Sequence, residues 1–183
     1  MENENSIVLN YVKNDDIYIL GSFDDTISQN IIALLPDLIN RKSSVRNSEI
    51  NIYINSTGGQ CDVMFSLSYF IKKAKDNGIN VNTHIIGDAY SAGSYIAVQG
   101  SYRYMNKYSH QLLHFGNAWS NAETPKQLER NNKMLNEHFD NLVDIYTKYT
   151  KLTKSQIKSF MNDDKCFLNA SECLKYGLVD EII

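Results

Sequence analysis

A serine set among small residues, a pair of glycines and four histidines are the parts of this 183-residue chain that can carry covalent chemistry. Ser91 lies in Gly87-Asp88-Ala89-Tyr90-Ser91-Ala92-Gly93. Its A-x-S-x-G pattern is close to the G-x-S-x-G of a nucleophile elbow, where small neighbours allow a sharp turn that exposes the hydroxyl. A serine at a helix start is equally an ordinary N-cap. Upstream stands Asn55-Ser56-Thr57-Gly58-Gly59-Gln60. Paired glycines can take positive φ and bring backbone N–H groups close to a ligand, though such a pair often makes only a turn. The N–H of Ala92 with that of Gly58 or Gly59 can together hold an oxyanion. A serine nucleophile needs a base, and the histidines are His84, His110, His114 and His138. His138 reads as a structural residue of a long helix and His84 as a mid-strand one. His110 and His114 flank Gln111-Leu112-Leu113, and His114 meets a loop from which it can reach Ser91. Spacing alone leaves His114 only marginally favoured.

The elements that must hold these residues alternate. Ile17-Tyr18-Ile19-Leu20 reads as a strand stopped at Gly21. Residues 25–40 carry Ile27, Ile31, Leu34, Leu35 and Leu38 at helical spacing. Ile50-Asn51-Ile52-Tyr53-Ile54-Asn55 is a second strand, followed by a helix with Met64, Leu67, Ile71 and Ala74 on one face, closed by Asn77-Gly78. Residues 81–86 form a third strand that runs into the Ser91 loop, and residues 95–98 look helical. Residues 102–105 and 111–114 are short strand candidates. The clearest helix starts at Thr124, with Pro125 in its first turn and Gln127 completing a capping box. Thr153 with Gln156, and Asn169 with Glu172, begin two more helices. Residues 178–183 close as a strand. Strand–helix–strand repetition implies a parallel sheet with right-handed crossovers. Both loops should then lie beyond the carboxyl ends of strands, where open α/β sheets bind ligands.

Bulk properties narrow the classes. Hydrophobic residues make up 43% and charged residues 21%, which suits one soluble domain with a sizeable core. A net charge of −3 gives no reason to expect nucleic acid or an anionic membrane as partner. No apolar run reaches a membrane span, and the polar start Met1-Glu2-Asn3-Glu4-Asn5-Ser6 is unlike a secretory signal, so a cytoplasmic location is expected. Cys61, Cys166 and Cys173 form neither a C-x-x-C pair nor an even set, so reduced thiols are expected rather than disulfides or zinc.

Taken in order, Ile17-Tyr18-Ile19-Leu20-Gly21, Tyr53-Ile54-Asn55-Ser56-Thr57-Gly58-Gly59, the Ser91 loop, Leu112-Leu113-His114, Phe167-Leu168-Asn169-Ala170 and Tyr176-Gly177-Leu178-Val179-Asp180 resemble the proteolytic subunits of the Clp protease, the ClpP family. The resemblance runs from about Ile17 to Ile183. It implies an α/β fold: a crotonase-like core of βαβ units with a protruding, helix-bearing handle. The whole chain, 1–183, would be one peptidase domain, with a polar N-terminal segment over 1–16 and the handle over about 116–150. It implies Ser91 as nucleophile, His114 as base, and Gly59 and Ala92 as oxyanion donors. It also implies acyl transfer without metal or organic cofactor. Expected partners are further copies of the chain in stacked heptameric rings, a hexameric AAA+ unfoldase, and unfolded protein substrates.

This sequence departs from the family pattern in places. Ser-Thr-Gly-Gly replaces Ser-Pro-Gly-Gly, which is tolerable because Pro only presets φ. Phe115 follows the histidine in place of a polar residue and Pro. The family's acid stands two residues before the Phe-Leu pair, a position occupied here by Lys165. The segment between 157 and 167 is one residue longer than usual, and counting forward from Ile157 puts the acid on Asp164, with Asp163 beside it. Both are also readable as solvated loop carboxylates. Three other functions stay open: a catalytically impaired ring component, a crotonase-type acyl-CoA enzyme, and a Ser–Lys peptidase, for which no lysine is convincingly placed.

Overall fold

A computed structural model describes residues 9–115, 124–162 and 166–183. The strands are β1 (Asn10–Lys13), β2 (Asp16–Ile19), β3 (Glu49–Ser56), β4 (Asn80–Tyr90), β5 (Arg103–Met105), β6 (His110–Leu112), β7 (Phe167–Asn169) and β8 (Glu181–Ile182). The helices are α1 (Asp25–Asn30), α2 (Leu35–Ser43), α3 (Cys61–Asp76), α4 (Ala92–Ala97), α5 (Pro125–Tyr149), α6 (Lys154–Asn162) and α7 (Ala170–Tyr176).

One sheet runs β1-β2-β3-β4-β5-β8, with β6 on the far half of β4 and β7 on β6. From β2 to β8 the main path is parallel, as the βαβ pattern requires. Among the described residues only β1 with β2 and β6 with β7 are antiparallel. Among the described residues no helix is long and apolar enough to cross a membrane.

Alternation on β3 decides the two faces. Ile50, Ile52 and Ile54 are buried, the first two against Leu35 and Ile39 of α2 and Leu67 and Ile71 of α3, and Ile54 beside Gly93 of α4. Tyr53, between them, points to the opposite face and joins a row of rings. Tyr11, Tyr18, Tyr53, His84 and Tyr104 stack in succession at 4.8, 4.9, 4.7 and 4.6 Å between centroids, one ring from each of β1 to β5. Strand register makes this row: Tyr18 pairs with Tyr53, Tyr53 with His84, and His84 with Tyr104.

The strand that leads to Ser91 bends on the way. Ile54 pairs with Ile85, but Ser56 pairs with Ala89, so β4 carries two extra residues against β3. Asn55 fills the bulge, and its Oδ1 accepts from the Asp88 N–H at 3.1 Å. Gly87 lies against that amide, where any Cβ would collide. After the bulge β4 leaves β5 and pairs with β6 at Ala89–Gln111 and Tyr90–Leu112. One long strand thus carries the serine from the main sheet to the strand that precedes His114.

Residues 25–40 are not a single helix. Pro36 cannot donate a helical hydrogen bond, and the segment becomes α1, a 3-10 turn over Ile32–Leu34 and then α2 with Pro36 in its first turn. Residues 10–13, within the segment expected to be only polar, form β1.

Candidate active site

Ser91 sits at the β4–α4 junction with φ 54° and ψ −119°. A non-glycine residue held there stores about 1–3 kcal/mol of strain and is found where surrounding structure imposes it. Two backbone hydrogen bonds restrain it: Ser91 N–H donates to Leu112 O at 2.9 Å, and Ser91 O accepts from the Tyr95 N–H at 3.0 Å. Small Ala92 and Gly93, both buried, let α4 begin at once. Ala92 is the first residue of α4, so its N–H has no intrahelical carbonyl to bond.

The glycine loop abuts this elbow. Gly58 has φ +94°, and a Cβ there would lie 2.6 Å from the Ser91 Cβ and 3.1 Å from its Oγ. Gly59 has φ +149°. The Phe23 N–H donates to Gly58 O at 2.8 Å, and the Gln60 N–H donates to Phe23 O at 2.7 Å. This parallel bridge leaves the Gly59 N–H on the side away from Phe23. Ser56, buried below, accepts from the Gly58 N–H through its Oγ at 3.1 Å and fixes the turn.

Ser91, His114, Gly59 and Ala92 line one small cavity, walled by Met64 and Leu142 among others. The structure therefore brings together the residues that the sequence singled out on three separate loops. Among the described residues no hydrogen bond joins Ser91 Oγ to the His114 ring. His84 belongs to the ring row, His110 N–H donates to Asp88 Oδ1 at 2.9 Å, and His138 packs on Phe65. Asp163, Asp164 and Lys165 lie outside the described residues, as does the start of the handle at 116–123.

The cavity surface is mostly apolar. Tyr95 and Tyr146 contribute rings whose hydroxyls are used elsewhere. Burial pushes Tyr95 up to about 12, and Ser68 is its hydrogen-bond neighbour. Burial likewise raises Tyr146, whose hydroxyl donates to Ser94 Oγ at 3.0 Å. Cys61 opens onto the same cavity, and desolvation raises its thiol above the ordinary cysteine value. Sequence reading did not single out the polar chain behind the elbow. Ser94 Oγ donates to Gln111 Oε1 at 2.8 Å, and both residues are fully buried. Their only sequence signal was polar residues at otherwise apolar positions.

Among the described residues no group of three or more His, Cys, Asp or Glu side chains is arranged to hold a metal ion. Two comparisons bear on this geometry. The family model for Clp protease matches residues 1–183. An ATP-dependent Clp protease proteolytic subunit of Deinococcus radiodurans is 32% identical over 158 residues, covering 85% of this chain and 75% of the relative.

Proposed function

We propose that this chain, which belongs to the Clp protease family, is a serine-type endopeptidase that cuts unfolded polypeptides by an acyl-enzyme mechanism. The observation that carries the reading is one cavity shared by a serine at a positive-φ elbow, a histidine and two candidate oxyanion donors. Ser91 Oγ attacks the scissile carbonyl while His114 takes its proton and then passes it to the leaving amine. The N–H groups of Gly59 and Ala92 stabilise the oxyanion. Asp164 orients the imidazole, with Asp163 as the neighbouring choice. Water then releases the acyl group, and no cofactor enters the cycle.

The family further supports a homo-oligomer of heptameric rings, stacked as a tetradecamer, whose chamber limits access to unfolded chains. The relative from Deinococcus is named as ATP-dependent, which supports an AAA+ unfoldase as the partner that feeds substrate. This assembly would act in the cytoplasm.

A second reading, a ring component without chemistry of its own, is favoured by the absent Ser91–His114 hydrogen bond. Free serine enzymes often tighten that bond only with substrate bound, so the separation needs an experiment. The protein is treated with a fluorophosphonate probe and weighed intact, beside Ser91→Ala and Asp164→Ala. The peptidase reading expects one adduct on the wild type, none on Ser91→Ala and slower labelling of Asp164→Ala. A folded, assembled wild type that takes no label would leave the ring-component reading standing.

A further inference from the structure

Behind the Ser91 elbow lies a buried polar chain that none of the catalytic roles uses. The Tyr146 hydroxyl of α5 donates to Ser94 Oγ of α4, and Ser94 Oγ donates to Gln111 Oε1 of β6, at 3.0 and 2.8 Å. Tyr146 is 2% exposed, Ser94 0% and Gln111 0%. Ser94 stands three residues after Ser91, and Gln111 three residues before His114. The bond therefore ties the helix that carries the serine to the strand that delivers the histidine. The backbone between these elements is thin: two residue pairs of β4 with β6, and the Ser91 N–H to Leu112 O bond.

A fold-only role explains the chain poorly. All three positions face the apolar core, where Ala, Leu and Phe would pack without desolvating polar groups. Among the described residues Gln111 Nε2 has no nitrogen or oxygen partner, and a buried donor left unsatisfied costs stability. The Cys173 thiol beside it is only a weak acceptor. A directional contact that costs stability instead of adding it points to a geometric task. Hydrogen bonds fix distance and angle, whereas apolar contacts tolerate sliding.

We propose that Ser94 and Gln111, with Tyr146 holding the Ser94 hydroxyl, are positioning residues that set the spacing of Ser91 and His114 for acyl transfer. The inference rests on Ser91 and His114 being nucleophile and base. None of the three touches substrate through its polar atoms; the chain acts through the two elements it joins.

The test measures the rate of Ser91 phosphonylation, kcat and KM on a short peptide substrate, and the thermal midpoint. It is applied to the assembled full-length protein as wild type, Ser94→Ala, Gln111→Leu, Tyr146→Phe and the Ser94→Ala/Gln111→Leu/Tyr146→Phe triple variant. Misplacing a reacting group by about 1 Å can cost about 100-fold. Ser94→Ala and Gln111→Leu should therefore lower the phosphonylation rate and kcat by roughly 10- to 100-fold, with KM within about twofold. Tyr146→Phe should lower them less, because the Ser94–Gln111 bond survives. The triple variant is decisive, since replacing every partner in the chain with an apolar group can be nearly neutral for stability. The expected result is a thermal midpoint near wild type with the rate still low. A triple variant that recovers both stability and rate overturns the inference, and so does a folded Ser94→Ala that labels as fast as wild type. If Ser94→Ala does not fold, the triple variant and Tyr146→Phe answer the same question. A folded wild type that takes no label overturns the catalytic reading, and this inference falls with it.

Discussion

At Gly58 and Gly59 the absence of a side chain is a requirement of the site. A Cβ on Gly58 would stand 2.6 Å from the Ser91 Cβ and 2.9 Å from Tyr90 O. A Cβ on Gly59 would run into the carbonyl of Phe23, whose backbone already makes the two bonds of the bridge. Both residues also hold φ values that L side chains avoid. Overpacking costs about 1–3 kcal/mol and a disfavoured φ about the same again. Gly58→Ala, obstructed by the Ser91 side chain and by Tyr90 O, should lower the thermal midpoint and lose most Ser91 labelling. Gly59→Ala meets backbone on both counts and should lower the thermal midpoint further. Labelling rate and a melting curve check both. A Gly58→Ala protein that labels at the wild-type rate would remove Gly58 from any account of the site. These constraints were legible in the sequence because only glycine satisfies them. The Ser94–Gln111–Tyr146 chain was not, since it joins residues 17 and 52 positions apart and becomes visible only once α5 is folded against α4. His114 was legible as a candidate, but spacing favoured it over His110 only marginally, and the resemblance supplied the rest.

Among the elements, β5 and the C-terminal segment depend on one side chain. Arg103 bonds Asp180 through Nε at 2.8 Å and Nη2 at 2.7 Å, and its Nη1 reaches Tyr149 O at 2.6 Å and Gly177 O at 2.8 Å. It thereby holds the end of α5, the end of α7 and the approach to β8 together. The Arg103 side chain is mostly covered and that of Asp180 partly exposed, and losing hydrogen bonds to such a charged group costs about 1.5–3 kcal/mol. Arg103→Ala should lose that order of stability in urea unfolding, and Arg103→Lys should not restore it, because an ammonium lacks the planar fork. The Arg103 guanidinium also holds the Asp180 carboxyl below its usual range. That part of the stability is present above the ordinary carboxylate pKa and is lost as pH falls through the lowered one. The ring row supplies a second pH effect. Burial between Tyr53 and Tyr104 lowers His84 from its ordinary value of 6.5. A depressed folded value means the unfolded chain takes up the proton first. The His84 contribution is then complete above about pH 6.5 and declines as pH drops toward the lowered value. Unfolding free energy measured from pH 7.5 to 5 should slope downward, and His84→Phe, which preserves stacking, should flatten that slope. An unchanged slope would assign the effect to other groups. Element boundaries were readable where local chemistry decides them: the boxes at Thr124 and Asn169 are both formed, and Gly177 ends α7 in the left-handed region. They were not readable where tertiary pairing decides. β1 has few apolar residues and exists by pairing with β2, and β7 is three residues that pair with β6.

The whole molecule presents a helix it only half uses. Helix α5 spans 25 residues, and its buried residues are Leu142, Val143 and Tyr146, all in the C-terminal half. The N-terminal half carries Leu128 at 46% and Met134 at 50% exposure. Isolated helices shorter than about 12–15 residues are marginal in water, and most helical stability comes from packing an apolar face. The capping box at Thr124 and Gln127 supports the first turn, but a cap contributes only about 1 kcal/mol. The exposed half of α5 is thus expected to find its packing on another subunit, in keeping with the stacked rings proposed above. Native mass spectrometry should give fourteen subunits, or seven if the rings part. Leu128→Glu with Met134→Glu should shift that population toward single rings or monomers while leaving the circular dichroism of the core sheet intact. The core packs through residues remote from these two side chains, so loss of assembly without loss of fold is the specific outcome. A double variant that remains fully assembled would move the subunit contact off this half of the helix. A wild type that runs as a monomer at all concentrations would leave α5 stabilised by its own sequence alone, which its sparse apolar face makes hard to account for.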